Sequence, residues 1–471
     1  MFYYSTNHQA SRATLRDAVV RGLAEDRGLY MPEVIRQLPA SFWDEIADLT
    51  FQEVAYRVAD AFFGDDVPAE DLRRIVCDTL SFDTPLVPVE DNIYALELFH
   101  GPTLAFKDVG ARFMARLLQY FIKADDQDSQ GKQLVNSSTN NSSTRTVNVL
   151  VATSGDTGSA VANGFLGVEG VHVYVLYPKG KVSPIQECQF TTLGQNITAL
   201  EIDGVFDDCQ RLVKSAFMDA ELNAHMRLTS ANSINVARFL PQAFYYFWAY
   251  AQLKKKLQAQ DIKLTVCVPS GNFGNICSAL FGHVMGLPVH RFIAANNANR
   301  VFYDYLQTGV YSPRPSVQTI ANAMDVGDPS NFARILDLYS REDVISRIGS
   351  CPLPVNKADA HAAQPAPFIS STTYTDEQIA DTMRDCYART GYVLDPHGAC
   401  GYRALREQLR FDEIGIFLET AHPAKFKDTV DHILGIDLPI PETLQAFMRG
   451  QKQSIPLSAD FADFKSFLLA E

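Results

Sequence analysis

The sequence lacks several features that would place it in a specialised class of protein. Its eight cysteines form no C-x-x-C pair, and no His/Cys pair has the spacing of a zinc site. A disulfide framework and a bound metal are therefore not expected. Lys and Arg number 41 against 55 Asp and Glu, and the net charge of −14 argues against nucleic acid as a main partner. The most apolar stretch, QAFYYFWAYAQL, is too short to cross a membrane.

The start of the sequence has no continuous apolar segment, so no signal peptide is expected. Together with the scattered cysteines, this predicts reduced thiols and a cytoplasmic protein. The 471 residues, 46% hydrophobic and 20% charged, are ordinary for a globular chain of two or three domains. The composition does not determine the oligomeric state. Our expectation is a monomer or a weak homodimer.

The pattern along the chain changes near residue 85. Residues 1–85 carry apolar positions at helical spacing, punctuated by Gly and Pro, which predicts a mostly helical N-terminal domain. Beyond it, short strand-like runs such as VNVLVATS and KLTVCVPS alternate with amphipathic stretches, which indicates βαβ units with parallel sheets. The polar, low-complexity stretch 124–146 is predicted to be an inserted surface loop.

One lysine lies in an unusual place, at the end of the segment FHGPTLAFKD, residues 99–108. Lys107 follows Leu104, Ala105 and Phe106, and the residues after it have helical periodicity. Burial and the positive end of a helix dipole both disfavour an ammonium group, and a desolvated lysine suits Schiff-base chemistry. The alternative for any single lysine is a side chain that extends to solvent at a helix start.

Two strand-to-helix junctions could bind anions. In VLVATSGDTGSAVANGF, an apolar strand leads into a hydroxyl-rich turn suited to a carboxylate, although a simple capped turn would look the same. The residues of this turn are Thr153, Ser154, Gly155, Asp156 and Thr157. In LTVCVPSGNFGNICSAL, glycines let the backbone approach a ligand, which suits a phosphate, and the pattern is neither a Walker loop nor GxGxxG. The residues of this second turn are Gly271, Asn272, Phe273, Gly274 and Asn275.

A third strand end occurs in FLETAHPAKFKD, residues 417–428. There, Thr420 could donate a hydrogen bond to a ring nitrogen, while His422 is more often structural than catalytic. An activated amine, two anion cradles and this hydroxyl, all at the carboxyl ends of parallel strands, together describe a pyridoxal-phosphate site.

With YYSTN and GLAEDRGLYMP near the start, these ordered motifs resemble the threonine synthase family over nearly the whole chain, in its longer bacterial and fungal branch. The resemblance implies an α/β fold of type II among pyridoxal-phosphate enzymes, with two open, twisted, mostly parallel sheets and a helical N-terminal domain. It assigns residues 86–110 and 240–471 to a large cofactor domain. Residues 111–239 would form a smaller α/β domain.

The resemblance also implies residue roles. Lys107 would hold the cofactor, with Phe106 beside it, Gly271 to Asn275 around its phosphate and Thr420 at its ring nitrogen. The turn from Thr153 to Thr157 would bind the substrate carboxylate. The segment SANSINVARFLPQ, residues 230–242, resembles the substrate-phosphate segment of the family and contributes Asn232, Ser233, Asn235 and Arg238.

The implied activity is that of a carbon–oxygen lyase. It would convert O-phospho-L-homoserine and water to L-threonine and phosphate by γ-elimination and β-addition of water, the last step of threonine biosynthesis. Two alternatives remain open at this point. One is another enzyme of the same fold, such as a threonine or serine dehydratase, and the other is a catalytically inactive relative.

Overall fold

The fold is described from a computed structural model that covers residues 1–132, 146–258, 262–348, 353–354 and 368–471. The strands, in chain order, are β1 Phe2–Ser5, β2 Ala13–Thr14, β3 Tyr30–Pro32, β4 Leu86–Glu90, β5 Ile93–Glu97, β6 Val147–Ala152, β7 Val171–Pro178, β8 Ile197–Asp203, β9 Arg227–Ser230, β10 Leu264–Pro269, β11 Arg291–Asn296, β12 Ile369–Thr373, β13 Ile414–Glu419 and β14 Ile455–Ser458. They form three sheets of three, six and five strands.

Helices surround these sheets. In chain order they are α1 Leu15–Arg21, α2 Ala40–Glu45, α3 Phe51–Phe63, α4 Ala69–Thr79, α5 Lys107–Lys132, α6 Asp156–Phe165, α7 Pro184–Thr191, α8 Phe206–Met218, α9 Ala220–His225, α10 Val236–Phe239, α11 Ala243–Leu257, α12 Gly274–Val284, α13 Val301–Thr308, α14 Phe332–Leu338, α15 Glu342–Ile348, α16 Asp376–Thr390, α17 Pro396–Gln408, α18 Lys427–Leu434, α19 Glu442–Met448 and α20 Phe461–Ala470. No helix in the described parts of the chain is long and apolar enough to cross a membrane.

The N-terminal segment contains the four helices α1 to α4 and also an antiparallel sheet of order β2-β1-β3. Helix α3 begins with a capping box in which the Thr50 side chain and the Glu53 side chain each accept from the other residue's backbone. The small sheet was not predicted from the sequence. Its strands are two to four residues long, too short to show an alternating pattern.

The six-stranded sheet has the order β12-β11-β10-β13-β5-β4 and is parallel except for the β4–β5 pair. All residues of its strands β10 and β11 are buried, as expected of parallel strands covered by helices on both faces. Strands β10 and β13 are neighbours, so the turn after Pro269 and the turn after Glu419 lie beside each other at the same edge of the sheet. This adjacency positions the candidate site.

The five-stranded sheet, of order β14-β8-β7-β6-β9, is parallel throughout. Its edge strand β14 comes from the C-terminal segment, whereas the sequence led us to expect residues 240–471 together in the large domain. Strand β14 pairs with β8, and Phe464 and Leu468 of α20 are buried in the core of this smaller unit. The apolar face of α20 therefore explains why the chain end packs here.

Helix α5 begins at Lys107, as the periodicity predicts, but it continues to Lys132. The expected surface loop at 124–146 is therefore helical over residues 124–132. The sequence ADDQDSQGK contains no proline, and its one glycine comes only at residue 131, near the end of the helix. Residues 133–145 lie outside the described part of the chain.

Candidate active site

Lys107 is held against the end of β13 by backbone contacts. Ala105 forms an isolated bridge with Ala421, and the Phe106 N–H donates to the Thr420 carbonyl at 2.9 Å. Leu104 adopts a left-handed backbone with φ of 55°, which turns the chain into α5. The lysine and the Thr420 turn, more than 300 residues apart in the sequence, therefore meet at one sheet edge.

The surroundings of the Lys107 amine favour its neutral form. Burial lowers the pKa of Lys107 to about 8, with Arg238 and Lys425 acting in the same direction and Asp156 opposing them. Within the described residues, no carboxylate oxygen lies within 4.0 Å of its Nζ atom. Lys107 keeps part of its surface accessible and lines a cavity. A partly desolvated amine facing a cavity is suited to bond formation with a carbonyl group.

The turn between β10 and α12 forms a tight cradle at the same cavity. A Cβ atom on Gly271 would lie 2.5 Å from the Ala323 carbonyl oxygen, and one on Gly274 would lie 3.0 Å from the Ser233 Cβ. Phe273 adopts a left-handed backbone with φ of 63° immediately before α12 begins. The Ile276 N–H donates to the Asn275 Oδ1 at 2.8 Å, whereas the N–H groups of Gly274 and Asn275 come too early in the helix to reach a carbonyl four residues back within it. The turn therefore presents two donors suited to a phosphate.

The predicted carboxylate turn divides into two parts. Ser154 and Thr157 line the cavity, whereas Thr153, Gly155 and Asp156 lie behind it. The Thr153 hydroxyl oxygen accepts from the N–H groups of Gly155 and Gly158 at 2.9 and 2.7 Å. Thr153 therefore shapes the turn rather than facing a ligand.

Asp156 is buried and forms an ion pair with Lys425. The Lys425 Nζ lies 2.6 Å from the Asp156 carboxylate and donates to the Thr103 carbonyl at 2.8 Å. Burial alone would raise the pKa of Asp156, but Lys425 and Lys107 lower it to about 2. The pair joins the turn after β6, the segment before Lys107 and the turn after β13. The role of Lys425 was not predicted from the sequence, although its position between the apolar residues Ala424 and Phe426 indicates burial.

The segment SANSINVARF contributes both lining and structural residues. The Asn232 side chain lines the cavity, and its amide pairs with both backbone groups of Ala152. The Asn235 amide is buried, donates to the Val19 and Ser230 carbonyls and caps α10. Asn235 does not line the cavity, so its expected place near a substrate finds no support in this geometry.

Arg238 is a buried cation that lines the cavity. The side chain of Arg238 is 2% exposed, and its Nη1 donates to the Lys107 carbonyl at 3.1 Å. Its Nε has no hydrogen-bond partner, and no carboxylate lies within 4.0 Å among the described residues. Burial lowers the pKa of Arg238 to about 10, so the guanidinium stays charged near neutral pH. Arginines more often pair with a surface carboxylate. Within the described residues, Arg238 has no such partner.

The cavity also has lining residues that sequence reasoning missed. They are Ala152, Phe206, Gln210, Gln242, Pro269, the segment 322–326 and His397. The His397 Nε2 accepts from the Ala323 N–H at 3.1 Å, and its Nδ1 lies 2.5 Å from the Asp395 carboxylate. The motif DPHG at the start of α17 was the available signal for His397. No sequence motif marks the remaining lining residues, because it is the fold that brings them to the cavity.

The donor set of this cavity fits pyridoxal phosphate. It combines an amine with a lowered pKa, a glycine cradle at a helix start and the hydroxyl-bearing Thr420, which is 6% exposed and lines the same cavity. These features define a pyridoxal-phosphate-dependent enzyme. In agreement, residues 79–349 match the family model described as "Pyridoxal-phosphate dependent enzyme".

The chain belongs to the threonine synthase family. Residues 2–80 match the model "Threonine synthase N terminus", and residues 398–468 match "Threonine synthase, C-terminal". A threonine synthase of Haemophilus influenzae is 42% identical over 470 residues and covers 100% of both chains. The threonine synthase structure from Escherichia coli gives a TM-score of 0.85 at 39% identity with full coverage of both chains. The pyridoxal-phosphate-bound enzyme of Brucella melitensis gives 0.86 at 34% identity, covering 100% of this chain and 99% of that one.

Proposed function

We propose that this protein converts O-phospho-L-homoserine and water to L-threonine and phosphate. The proposal is carried by Arg238, a buried guanidinium without a carboxylate partner in the described chain, in the cavity that Lys107 also lines. A buried charge is costly unless it is compensated, and a phosphate group of the substrate would compensate it. Membership of the threonine synthase family supports the same substrate.

The proposed roles of the side chains follow from their places around the cavity. When bound, pyridoxal phosphate stabilises negative charge at the α carbon of an amino acid. Lys107, as a neutral amine, would accept the α proton at Nζ, and the resulting ammonium could return a proton to the carbon chain. Ser154 and Thr157 would orient the substrate carboxylate, and Arg238 would hold the phosphate that leaves.

Replacement of Arg238 by alanine should reduce kcat/KM about tenfold to a few hundredfold for each charge-assisted hydrogen bond lost. Inhibition by inorganic phosphate should weaken in parallel, because the product would use the same guanidinium. Arg238→Lys keeps the charge without the planar fork and should retain part of the activity. Loss of cofactor absorbance in Arg238→Ala, or unchanged kinetics and phosphate inhibition, would place the substrate phosphate elsewhere.

Thr420 is proposed to face the ring nitrogen of the cofactor. Thr420→Val removes one neutral hydrogen bond, worth about 0.5–1.5 kcal/mol, so the fold should persist while the visible absorbance and the turnover both change. Thr382→Val is a suitable control, since the Thr382 hydroxyl donates within α16 and lies away from the cavity. If Thr420→Val has the same absorbance spectrum and the same turnover rate as the parent chain, the Thr420 hydroxyl does not contact the cofactor ring.

A product assay tests the activity directly. The purified protein should form threonine and phosphate from O-phospho-L-homoserine, and it should not deaminate threonine or serine. Deamination without threonine formation would identify a dehydratase instead. A chain with neither activity nor visible absorbance would be an inactive relative.

We infer a reducing compartment such as the cytoplasm, because the seven described cysteines are all free. The acidic composition supports a small-molecule substrate without a nucleic-acid partner. A monomer or weak homodimer remains a prediction that sedimentation or light scattering can test.

A further inference from the structure

The Ser233 hydroxyl lies in a hydrogen-bond network behind the glycine cradle. Its Oγ accepts from the Asn272 Nδ2 at 2.9 Å and from the Asn331 Nδ2 at 3.0 Å. Neighbouring groups fix the orientation of both amides. The Asn272 Oδ1 accepts from the Ser330 N–H at 2.7 Å, and the Asn331 Oδ1 accepts from the Arg334 Nη1 at 2.6 Å. Neither amide can flip without losing its own partner.

This network determines what the Ser233 hydroxyl can do. A serine oxygen has two lone pairs and one hydrogen, and the two amides occupy both lone pairs. The hydroxyl can therefore act only as a donor toward a third group. Ser233 lines the cavity beside Asn272 and Gly274, where the start of α12 also presents donors. The third group is thus a ligand in the cradle that offers acceptor atoms.

Arg334 fixes the polarity of this network from the protein interior. It is fully buried, and its guanidinium also donates to the carbonyls of Ser233 at 3.0 Å and Ile234 at 2.6 Å. The guanidinium carbon lies 4.0 Å from the centre of the Phe239 ring. No carboxylate of the described chain lies within 4.0 Å of it, so its charge is available to stabilise an anion nearby.

We propose that Arg334 is a positioning residue that, through Asn331, makes Ser233 an obligate donor to the phosphate monoester of the cofactor. The inference rests on the proposed cofactor cradle and moves Ser233 from the substrate phosphate to the cofactor phosphate. A phosphate dianion presents only acceptors, so a hydroxyl that can only donate is matched to it. A ligand without a phosphate would gain no hydrogen bond from the Ser233 hydroxyl.

The test compares pyridoxal phosphate with pyridoxal, which lacks the phosphate, as ligands of the full-length chain freed of cofactor. In Asn331→Asp, the new carboxylate still accepts from Arg334, but it draws the Ser233 hydroxyl away from the cradle. The dissociation constant for pyridoxal phosphate, measured by absorbance, should rise about tenfold to a hundredfold. The constant for pyridoxal should not change.

Two further variants separate this role from general packing. Ser233→Ala keeps the main-chain carbonyl that Arg334 uses and removes the hydroxyl, which is both the donor to the ligand and the acceptor of the two amides. It should weaken pyridoxal phosphate binding selectively, even if Asn331→Asp fails to fold. Ser5→Ala is the matched control, because the Ser5 hydroxyl is buried, donates to the Asp26 Oδ1 at 2.6 Å and does not line the cavity. It should change neither dissociation constant.

The outcomes distinguish the proposals from each other. If both ligands weaken equally in Ser233→Ala, the hydroxyl is only structural and the inference is wrong. If pyridoxal phosphate binds normally but inorganic phosphate inhibits the holoenzyme less, Ser233 serves the substrate phosphate and the inference is also wrong. If the parent chain itself binds the two ligands equally, the cradle proposal fails.

Discussion

Replacement of Lys107 by alanine should lower turnover by at least about a thousandfold, because the amine is proposed both to attach the cofactor and to move the α proton. The parent protein should be yellow, and borohydride should fix the cofactor to Lys107, as peptide mapping would show. Lys179→Ala, at an exposed position after β7, is the control and should behave like the parent. Full activity in Lys107→Ala would refute the assignment.

The lowered pKa of Lys107 can be tested by a second measurement, the pH dependence of its reactivity. In the chain freed of cofactor, burial places the pKa of Lys107 at about 8, so the neutral amine predominates above that pH. Its reaction with an amine-selective reagent should therefore rise through about pH 8. A rise only near the range of ordinary lysines, about 10.4, would contradict the burial argument.

Replacement of Lys425 by methionine should destabilise the fold by about 3–5 kcal/mol, because it leaves the Asp156 carboxylate buried without its cation. Denaturant unfolding measures this cost. The charge-free combination Asp156→Asn with Lys425→Met is the control and should recover most of the loss, since neither member then carries a buried charge. A single variant as stable as the parent would show that the ion pair contributes little.

The same pair predicts an acid dependence with a definite sign. The folded pKa of Asp156, about 2, lies below its ordinary value, so the pair stabilises the fold above that ordinary value. This contribution should disappear as the pH falls toward 2. In Lys425→Met the Asp156 pKa should rise, because burial then acts without the Lys425 cation, and the stability lost by this variant relative to the parent should shrink as the pH falls and Asp156 is protonated.

The sequence predicted the features that local patterns encode. The α/β class, the helix starting at Lys107 and the cofactor class were confirmed, because strand ends, glycines and helical periodicity are visible within a few residues. The pairing of strands that are distant in the sequence produces no pattern visible within a few residues. Strand β14 is short and largely exposed, and only the fold brings it to β8.

The same limit applies to the candidate site. Asn235 and Arg238 stand three residues apart in one motif, yet the first caps a helix and the second faces the cavity. Lys425, Asn331 and Arg334 act through partners far away in the chain, so their surroundings could not be predicted from neighbouring residues. For Ser233, the direction in which the hydroxyl donates depends on the orientation of two amides, which no pattern in the sequence determines.

The late position of β14 in the chain has a consequence for synthesis on the ribosome. The five-stranded sheet can begin to assemble once residues 147–230 have emerged, but residues near 200 gain their partners only after residues 455–458 have also emerged. Until then, β8 is an open edge with unpaired backbone groups, which is the kind of surface that recruits other chains. The nascent protein therefore keeps this edge open to other chains from the completion of β9 until β14 has been synthesised.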